Sequence, residues 1–126
     1  RGRTTRQAWY VYRADGSPLV LAGLWEDRMG LRTCSIITVP ANDDLTAVHH
    51  RMPAVLEPVD WDGWLDDRDP DRSDLESLLA PADDGTLARH TVHSRVNSAR
   101  NKGSELIEPA DSVGMSVAAP DQGALW

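Results

Sequence analysis

The 126-residue sequence has no phenylalanine, no long apolar run and a single cysteine, Cys34. One thiol excludes an internal disulfide framework and favours a reducing compartment. No stretch approaches the ~20 consecutive apolar residues that a membrane-spanning helix needs. We therefore expect a single-domain protein of a reducing compartment, without a membrane partner, whose aromatic bulk comes from five Trp and two Tyr.

Positive charge is also scarce, because the formal net charge at pH 7 is −7. A net acidic protein is, taken as a whole, a poor partner for nucleic acid. The charge is uneven, however. Residues 57–84 hold eleven acids against Arg68 and Arg72, whereas all other residues hold nine acids against eleven bases. We expect 57–84 to form an acidic helical segment that lies away from any polyanion, because its carboxylates would repel phosphate.

Strand signals dominate the first 40 residues. Residues 7–13 are rich in aromatic and β-branched side chains, "ADGS" is a turn signal, and 18–26 resumes an apolar run, which together predict a β-hairpin. "DRMG" at 27–30 predicts a second turn, and 31–40 predicts a third strand that ends at a proline.

Short helices are predicted between the later strands. Asn42 followed by acids predicts a cap and a helix to about Val48, after which "RMPAVL" is a strand. In the acidic segment one helix would bury Trp61, Trp64 and Leu65, and a capping box at Ser73 would start another. The "TLARHTVHSRVN" run predicts a last strand. The predicted fold class is α+β and β-rich.

Four motifs in this order resemble the SRAP family (SOS response-associated peptidases, the abasic-site processing proteins). They are "PLVLAGLWE", "TCSIITVPAN", "HHRMPAVL" and "SRVNSARNKGSELIEP". The family pattern has "AGLWE", "TIIT..AN", "HDRMP" and "VN..RN.GPEL.EP" at these places. The resemblance covers nearly all of residues 7–109.

The resemblance implies an antiparallel, barrel-like sheet with short inserted helices and a groove for single-stranded DNA. It also implies covalent capture of abasic sites, in which the thiol and α-amine of a cysteine at position 2 form a thiazolidine with the sugar aldehyde. In some members self-cleavage frees that terminus. Position 2 here is Gly2, and Cys34 matches the strand cysteine of the "TC.IIT" motif rather than the nucleophile.

We therefore expect residues 1–109 to be an incomplete SRAP domain that lacks its amino-terminal part, and 110–126 to be a flexible tail. The chain alone should be inactive. The complete protein is expected to be a monomer that binds single-stranded DNA containing abasic sites, with no metal and no other cofactor.

The resemblance assigns six residues of this chain to the site. Glu26 and His49 would be catalytic, moving protons around the aldehyde; Thr38 and Arg51 would contact the DNA backbone, and Asn97 and Arg100 belong to the late DNA-binding motif. We expect Glu26, at the end of an apolar strand, to be partly buried.

Alternatives stand beside these assignments. Glu26 could be a strand-end carboxylate paired with Arg28 or Arg51, and Arg51 could form an ion pair with the acidic segment. His50 replaces the aspartate of "HDRMP", which changes the local charge, and we expect it at the surface. A zinc site built from the four histidines is disfavoured, because no cysteine supports it. Trp9, Tyr10 and Trp25 could stack on bases, but core packing is favoured for at least two of them.

Three functions compete. The first is a DNA repair protein that shields abasic sites by covalent attachment. The second is a peptidase that acts in trans, although the residues form no independent nucleophile–base pair. The third is a catalytically inactive module that binds single-stranded DNA in a salt-sensitive way.

Overall fold

The computed structural model describes residues 6–68 and 71–110. This part contains three antiparallel sheets of two strands each, joined by turns and short helices. The expected β-rich α+β class with antiparallel strands is confirmed, and within these residues the sheets do not close into a barrel. The predicted tail falls, from residue 111 onward, outside the described residues.

The first sheet pairs β1 (Ala8–Arg13) with the last strand, β6 (Leu87–Val92), with Trp9 opposite Thr91. The predicted hairpin between 7–13 and 18–26 is therefore wrong. The "ADGS" turn does reverse the chain, but residues 20–22 then bond to residues 54–56 instead. A local turn signal fixes where a chain bends and leaves the choice of strand partner to longer-range packing.

The second sheet is a hairpin of β2 (Gly23–Arg28) and β3 (Leu31–Ile36). The predicted turn at 27–30 is confirmed. Met29 and Gly30 both have positive φ, 54° and 79°, as a two-residue hairpin loop requires. Every residue of both strands is exposed. The turn and the pairing of its own two strands therefore define this exposed hairpin, and little of the described chain packs against it.

The third sheet pairs β4 (Thr38–Pro40) with β5 (Arg51–Pro53). The connection between them, 41–50, is a series of turns, so the predicted helix is wrong. The Asn42 carbonyl accepts from the N–H of both the third and the fourth residue after it, and the Asn42 side chain donates to the Ala82 carbonyl (2.9 Å) instead of capping. A helix needs a regular bonding pattern that this segment does not reach.

The core lies around this third sheet. Its largest fully buried side chains are Leu45, Val48 and Met52. The Asp44 carboxylate accepts from the backbone N–H of Gly85 and Leu87, which fixes the connection against the start of β6. Residues of the 41–50 connection therefore have tertiary partners on both sides.

The acidic segment contains a 3₁₀ helix (Pro58–Asp60), α1 (Trp61–Leu65) and α2 (Arg72–Ser77). Trp61 and Trp64 pack against the core as predicted, but Leu65 is 78% exposed, so its predicted burial is wrong. The predicted cap at Ser73 is also wrong: Asp71 caps α2 by accepting from the Ser73 N–H. Asp71 has the stronger acceptor and stands two residues earlier.

Two further 3₁₀ helices, Ser94–Asn97 and Ser104–Ile107, follow β6. The last strand therefore ends at Val92, before the predicted end of the "TLARHTVHSRVN" run. No helix in the described ranges is long and apolar enough to cross a membrane.

Candidate functional site

His49 ends the connection between β4 and β5, and its ring is held by the backbone that follows it. The residue is only 8% exposed. Its backbone N–H donates to the Leu45 carbonyl (3.0 Å), and the backbone N–H of Arg51 donates to its ring Nδ1 (2.9 Å). The imidazole is therefore a fixed group rather than a solvated one.

His50 lies at the surface, as expected, but its ring stacks on that of His49. The ring centroids are 4.3 Å apart and the planes meet at 26°. The Ala41 N–H donates to the His50 carbonyl (3.0 Å), so the backbone that carries the second ring is anchored as well. The sequence indicated two adjacent histidines, but adjacency alone does not predict stacking.

Arg51 and Thr38 lie together across the third sheet. The Arg51 guanidinium donates to the Thr38 carbonyl and to its hydroxyl Oγ1, with Nε–Oγ1 and Nη2–Oγ1 distances of 3.3 and 3.2 Å. Among the described residues no carboxylate lies within ion-pair distance of Arg51, so the alternative of an ion pair with the acidic segment is not supported. A half-buried guanidinium in a fixed position, without an anion, can bind an external phosphate.

Thr38, His49 and Arg51 therefore form one connected unit. The Arg51 backbone bonds to the His49 ring, while its side chain bonds to Thr38. We call these three residues the β4–β5 cluster. Their positions depend on the same two short strands, so a change in the pairing of β4 with β5 would move all three.

Glu26 lies on the exposed hairpin, opposite Thr33. The expected partial burial is wrong, because both strands of this hairpin are exposed along their whole length. Its carboxylate forms no hydrogen bond or ion pair with Arg28, Arg51 or any other residue of the described chain. The structure thus places Glu26 and His49 in different elements, without a direct bond between them.

Asn97 and Arg100 lie beyond β6, at the surface. Asn97 is the last residue of the Ser94–Asn97 helix, and both side chains are exposed. The local structure is maintained by neighbours that the motif analysis did not single out: the Asn101 amide donates to the Arg95 carbonyl (2.7 Å), and the Arg95 N–H donates to Nδ1 of His93 (3.1 Å). No hydrogen bond links this region to the β4–β5 cluster within the described residues.

The aromatic candidates divide between core and surface. Trp9 and Tyr10 are half-buried in β1, whereas Trp25 is 65% exposed on the hairpin, with the Arg32 guanidinium 4.6 Å from its ring centroid. The Arg32 guanidinium therefore lies over one face of the exposed Trp25 ring, in a cation–π arrangement.

The four histidines do not form one cluster, because only His49 and His50 stack on each other. His90 bonds through Nε2 to the Ile107 carbonyl (2.8 Å), and His93 caps a helix, away from the stacked pair. In the parts of the chain that the structure describes, no three His, Cys, Asp or Glu side chains come together to hold a metal ion.

Comparison with known proteins finds similar sequences over most of the chain. The family model for SOS response associated peptidase (SRAP) matches residues 1–99. The chain is 38% identical over 92 residues to the abasic site processing protein YoqW of Bacillus subtilis, covering 69% of this chain and 41% of YoqW. It is 37% identical over 100 residues to the abasic site processing protein HMCES of Gallus gallus, covering 74% of this chain and 29% of that protein.

One bacterial relative and one solved structure extend the match. The chain is 30% identical over 111 residues to the abasic site processing protein YedK of Escherichia coli, covering 82% of this chain and 49% of YedK. A crystal structure of a Bacteroides thetaiotaomicron protein is 24% identical with a TM-score of 0.69, covering 87% of this chain and 51% of the other. The chain thus spans less than half the length of these three curated relatives.

Proposed function

This chain belongs to the SRAP family, and from that premise we propose that it forms part of a surface that binds single-stranded DNA at abasic sites in damaged DNA. The observation that carries the proposal is the β4–β5 cluster. It combines a guanidinium that has no carboxylate partner in the described chain with an imidazole that the backbone holds in place. The guanidinium can bind a phosphate of the DNA backbone, and the imidazole can interact with the hydroxyl and aldehyde oxygens of an opened sugar.

In this proposal Arg51 contacts the phosphate, and Thr38 orients the Arg51 guanidinium. Two of the guanidinium nitrogens bond to Thr38, which leaves other N–H groups of the planar fork for an incoming oxygen. Arg100 and Asn97 would extend the contact along the strand, because both are exposed and Arg100 adds a positive charge. The acidic segment contributes nothing to binding, since it repels phosphate.

The covalent step is proposed for a polypeptide that joins these residues to a cysteine at its start. The α-amine condenses with the sugar aldehyde and releases water to give an imine, and the thiol then adds its sulfur to the imine carbon and its proton to the nitrogen. The one thiol of residues 1–126, Cys34, is on the exposed hairpin, inside the chain and without an α-amine of its own. Alone, the chain is proposed to bind without crosslinking.

For Glu26, a role as the acid or base is the weaker part of the proposal. Its carboxylate is exposed and bonds to no residue of the described chain, so nothing there orients it towards a substrate. Self-processing as a peptidase, in the bacterial cytoplasm, belongs to the same proposal and would again need the cysteine-bearing start.

The first test is equilibrium binding, by fluorescence anisotropy, of the 126-residue chain to single-stranded oligonucleotides with and without one tetrahydrofuran abasic analogue. We expect tighter binding to the abasic strand. Equal affinity for both strands would favour the inactive binding module, and no binding to either would contradict the proposal for this chain.

The second test uses an authentic aldehydic abasic site and a polypeptide extended to a native cysteine start. A heat-stable band on a denaturing gel that is lost on Cys→Ala replacement is the expected result. Its absence, with the terminus confirmed by intact mass, would show that the fold is present without the crosslinking chemistry. A Glu26→Gln variant in the same assay decides the role of that carboxylate, because an unchanged rate would remove it from the site.

A further inference from the structure

The hydrogen bond that His49 accepts limits where its ring can carry a proton. The Arg51 backbone N–H always holds its hydrogen, and this hydrogen points at Nδ1 across 2.9 Å. A proton on Nδ1 would place two hydrogens between the same two nitrogens. The Arg51 carbonyl lies 3.2 Å from Nδ1 and would be the acceptor for such a proton, at the longer of the two distances. The shorter contact favours the tautomer with its hydrogen on Nε2.

The chemistry of His49 follows from that tautomer. A neutral ring with Nε2–H has no lone pair on Nε2 to take a proton, and its only lone pair, on Nδ1, is occupied by Arg51. Such a ring polarises an oxygen by donating a hydrogen bond, and it does not act as a general base.

His50 restricts the rotation of the His49 ring. Stacking, with the ring centroids 4.3 Å apart, covers one face of His49 and opposes rotation about its χ2 torsion, which would otherwise exchange Nδ1 with Cδ2 and move Nδ1 away from the Arg51 N–H. The His50 ring itself bonds to no residue of the described chain, so its contact with His49 is made through its face.

We propose that the Arg51 N–H and the stacked His50 ring hold His49 as the neutral Nε2–H tautomer, so that His49 acts as a hydrogen-bond donor to an oxygen of the opened abasic sugar. His50 is then a positioning residue. The donor role rests on the proposed function, whereas the tautomer and the role of His50 can be tested without DNA.

The tautomer is measured by long-range ¹H–¹⁵N correlation spectra of the histidine rings in the ¹⁵N-labelled 126-residue chain, under mildly alkaline conditions that leave imidazole neutral. His93 is an internal control, because it accepts the same kind of bond, Arg95 N–H to Nδ1, at 3.1 Å but is exposed. We expect His49 to show an unprotonated Nδ1 and a protonated Nε2, at least as completely as His93. A protonated Nδ1 on His49 would overturn the proposal.

The role of His50 is tested by His50→Phe, which keeps a stacking ring, and His50→Ala, which removes it. We expect the His49 tautomer spectrum to be unchanged in the first variant and to move towards the mixed pattern of free imidazole in the second. The methyl signals of Leu45 and Met52 report whether each variant remains folded. Should His50→Ala unfold, His50→Ser replaces it. A folded variant without a ring at 50 and with the wild-type His49 spectrum would contradict the positioning role.

The donor role is tested by comparing His49→Gln with His49→Ala in an anisotropy titration with a single-stranded oligonucleotide that carries an authentic aldehydic abasic site, because the tetrahydrofuran analogue has no opened sugar. The Gln amide offers an N–H near the place of Nε2–H but cannot exchange protons as imidazole does. We expect the Ala variant to bind roughly fivefold more weakly than the Gln variant, the effect of one neutral hydrogen bond. Equal loss in both variants would overturn the donor role. If the wild-type chain binds no abasic strand, the donor role falls together with the proposed function, and the tautomer is still decided by the spectra.

Discussion

Arg13 and Glu57 form a bidentate ion pair that connects β1 to the start of the acidic segment. The Nη1–Oε1 and Nη2–Oε2 distances are 3.1 and 3.0 Å, and the Arg13 side chain is 10% exposed. The hydrogen bonds to Glu57 and then to Asp15 raise the pKa of the guanidinium above its ordinary value. The buried Arg13 of β1 thus anchors the acidic segment at its first residue, Glu57.

Loss of this arginine is expected to destabilise the fold. Arg13→Met keeps the apolar stem but leaves Glu57 without its cation, so the thermal midpoint should fall. Arg72→Met is the matched control, because Arg72 is in a surface pair with Glu76 in which its side chain is 90% exposed. We expect a clear shift in the first variant and almost none in the control by circular dichroism. Equal shifts would mean that burial of the Arg13 pair adds nothing.

Asp15 is expected to make stability depend on pH in the acidic range. Side-chain and backbone hydrogen bonds from Ser17, followed by Arg13, lower the pKa of Asp15 from 3.8 to about 2. Because the folded pKa lies below the unfolded one, this stabilisation is complete above pH 3.8 and is lost as the pH falls towards 2. Urea midpoints of wild type and Asp15→Asn should therefore converge across that interval. A constant difference would contradict the assignment.

Met52 is expected to be among the most sensitive core positions. It is 0% exposed, in the middle of β5, and its sulfur accepts from the Asn42 N–H at 3.3 Å. Met52→Ala removes the contacts of a buried side chain and should lower the free energy of unfolding by about 2 to 5 kcal/mol. Val59→Ala, at a residue that is 86% exposed, should change it by less than about 0.5 kcal/mol. Chemical denaturation measures both.

The exposed hairpin is expected to drive self-association. Trp25 and Ile36 lie on one face of it and are 65% and 52% exposed, and the described chain pairs neither outer edge of the hairpin. A Trp25→Lys/Ile36→Lys double variant should shift the sedimentation profile towards smaller species at equal protein concentration. Val59→Lys on the acidic segment adds the same kind of charge elsewhere and should not. A wild-type chain that is already a monomer would contradict this prediction.

Arg51 is expected to contribute one phosphate contact to DNA binding. Arg51→Ala should weaken binding to abasic and intact strands alike, and should reduce the slope of log K against log[salt] by about 0.7. Thr38→Val, which removes the hydroxyl that aims the guanidinium but keeps the charge, should leave the slope nearly unchanged. An unaltered slope in Arg51→Ala would remove Arg51 from the interface.

Local signals were sufficient for several elements of the fold. The turn at 27–30 is encoded by residues that accept positive φ, and the packing of Trp61 and Trp64 follows from their spacing. The outcome after Asn42 was not predictable in this way: the segment forms turns instead of the predicted helix, and the Asn42 side chain donates to the Ala82 carbonyl, forty positions away, instead of capping. Where a side chain has two possible hydrogen-bond partners, the tertiary fold determines which bond forms, because it brings one of the partners within reach.

Some features of the candidate site were also predictable from the sequence, and others were not. The "HHRMPAVL" motif predicted site roles for His49 and Arg51; the structure bonds both into one cluster with Thr38, and the roles stay predictions. The expected burial of Glu26 was wrong, because an apolar run indicates a strand but does not say whether anything covers it. The stacking of His50 left no sequence signal, since ring contacts depend on backbone angles in an irregular connection.

By itself, the sequence determined the family, the β-rich class and the positions of most strands and turns, because motif order and backbone preference belong to residues that are near one another in the chain. Only the tertiary structure decided that β1 pairs with β6, that the hairpin at 23–36 is exposed and that the His49 ring is held between Arg51 and His50. Each of these outcomes depends on contacts between segments whose alternatives have similar local energies, so packing of the whole domain selects among them.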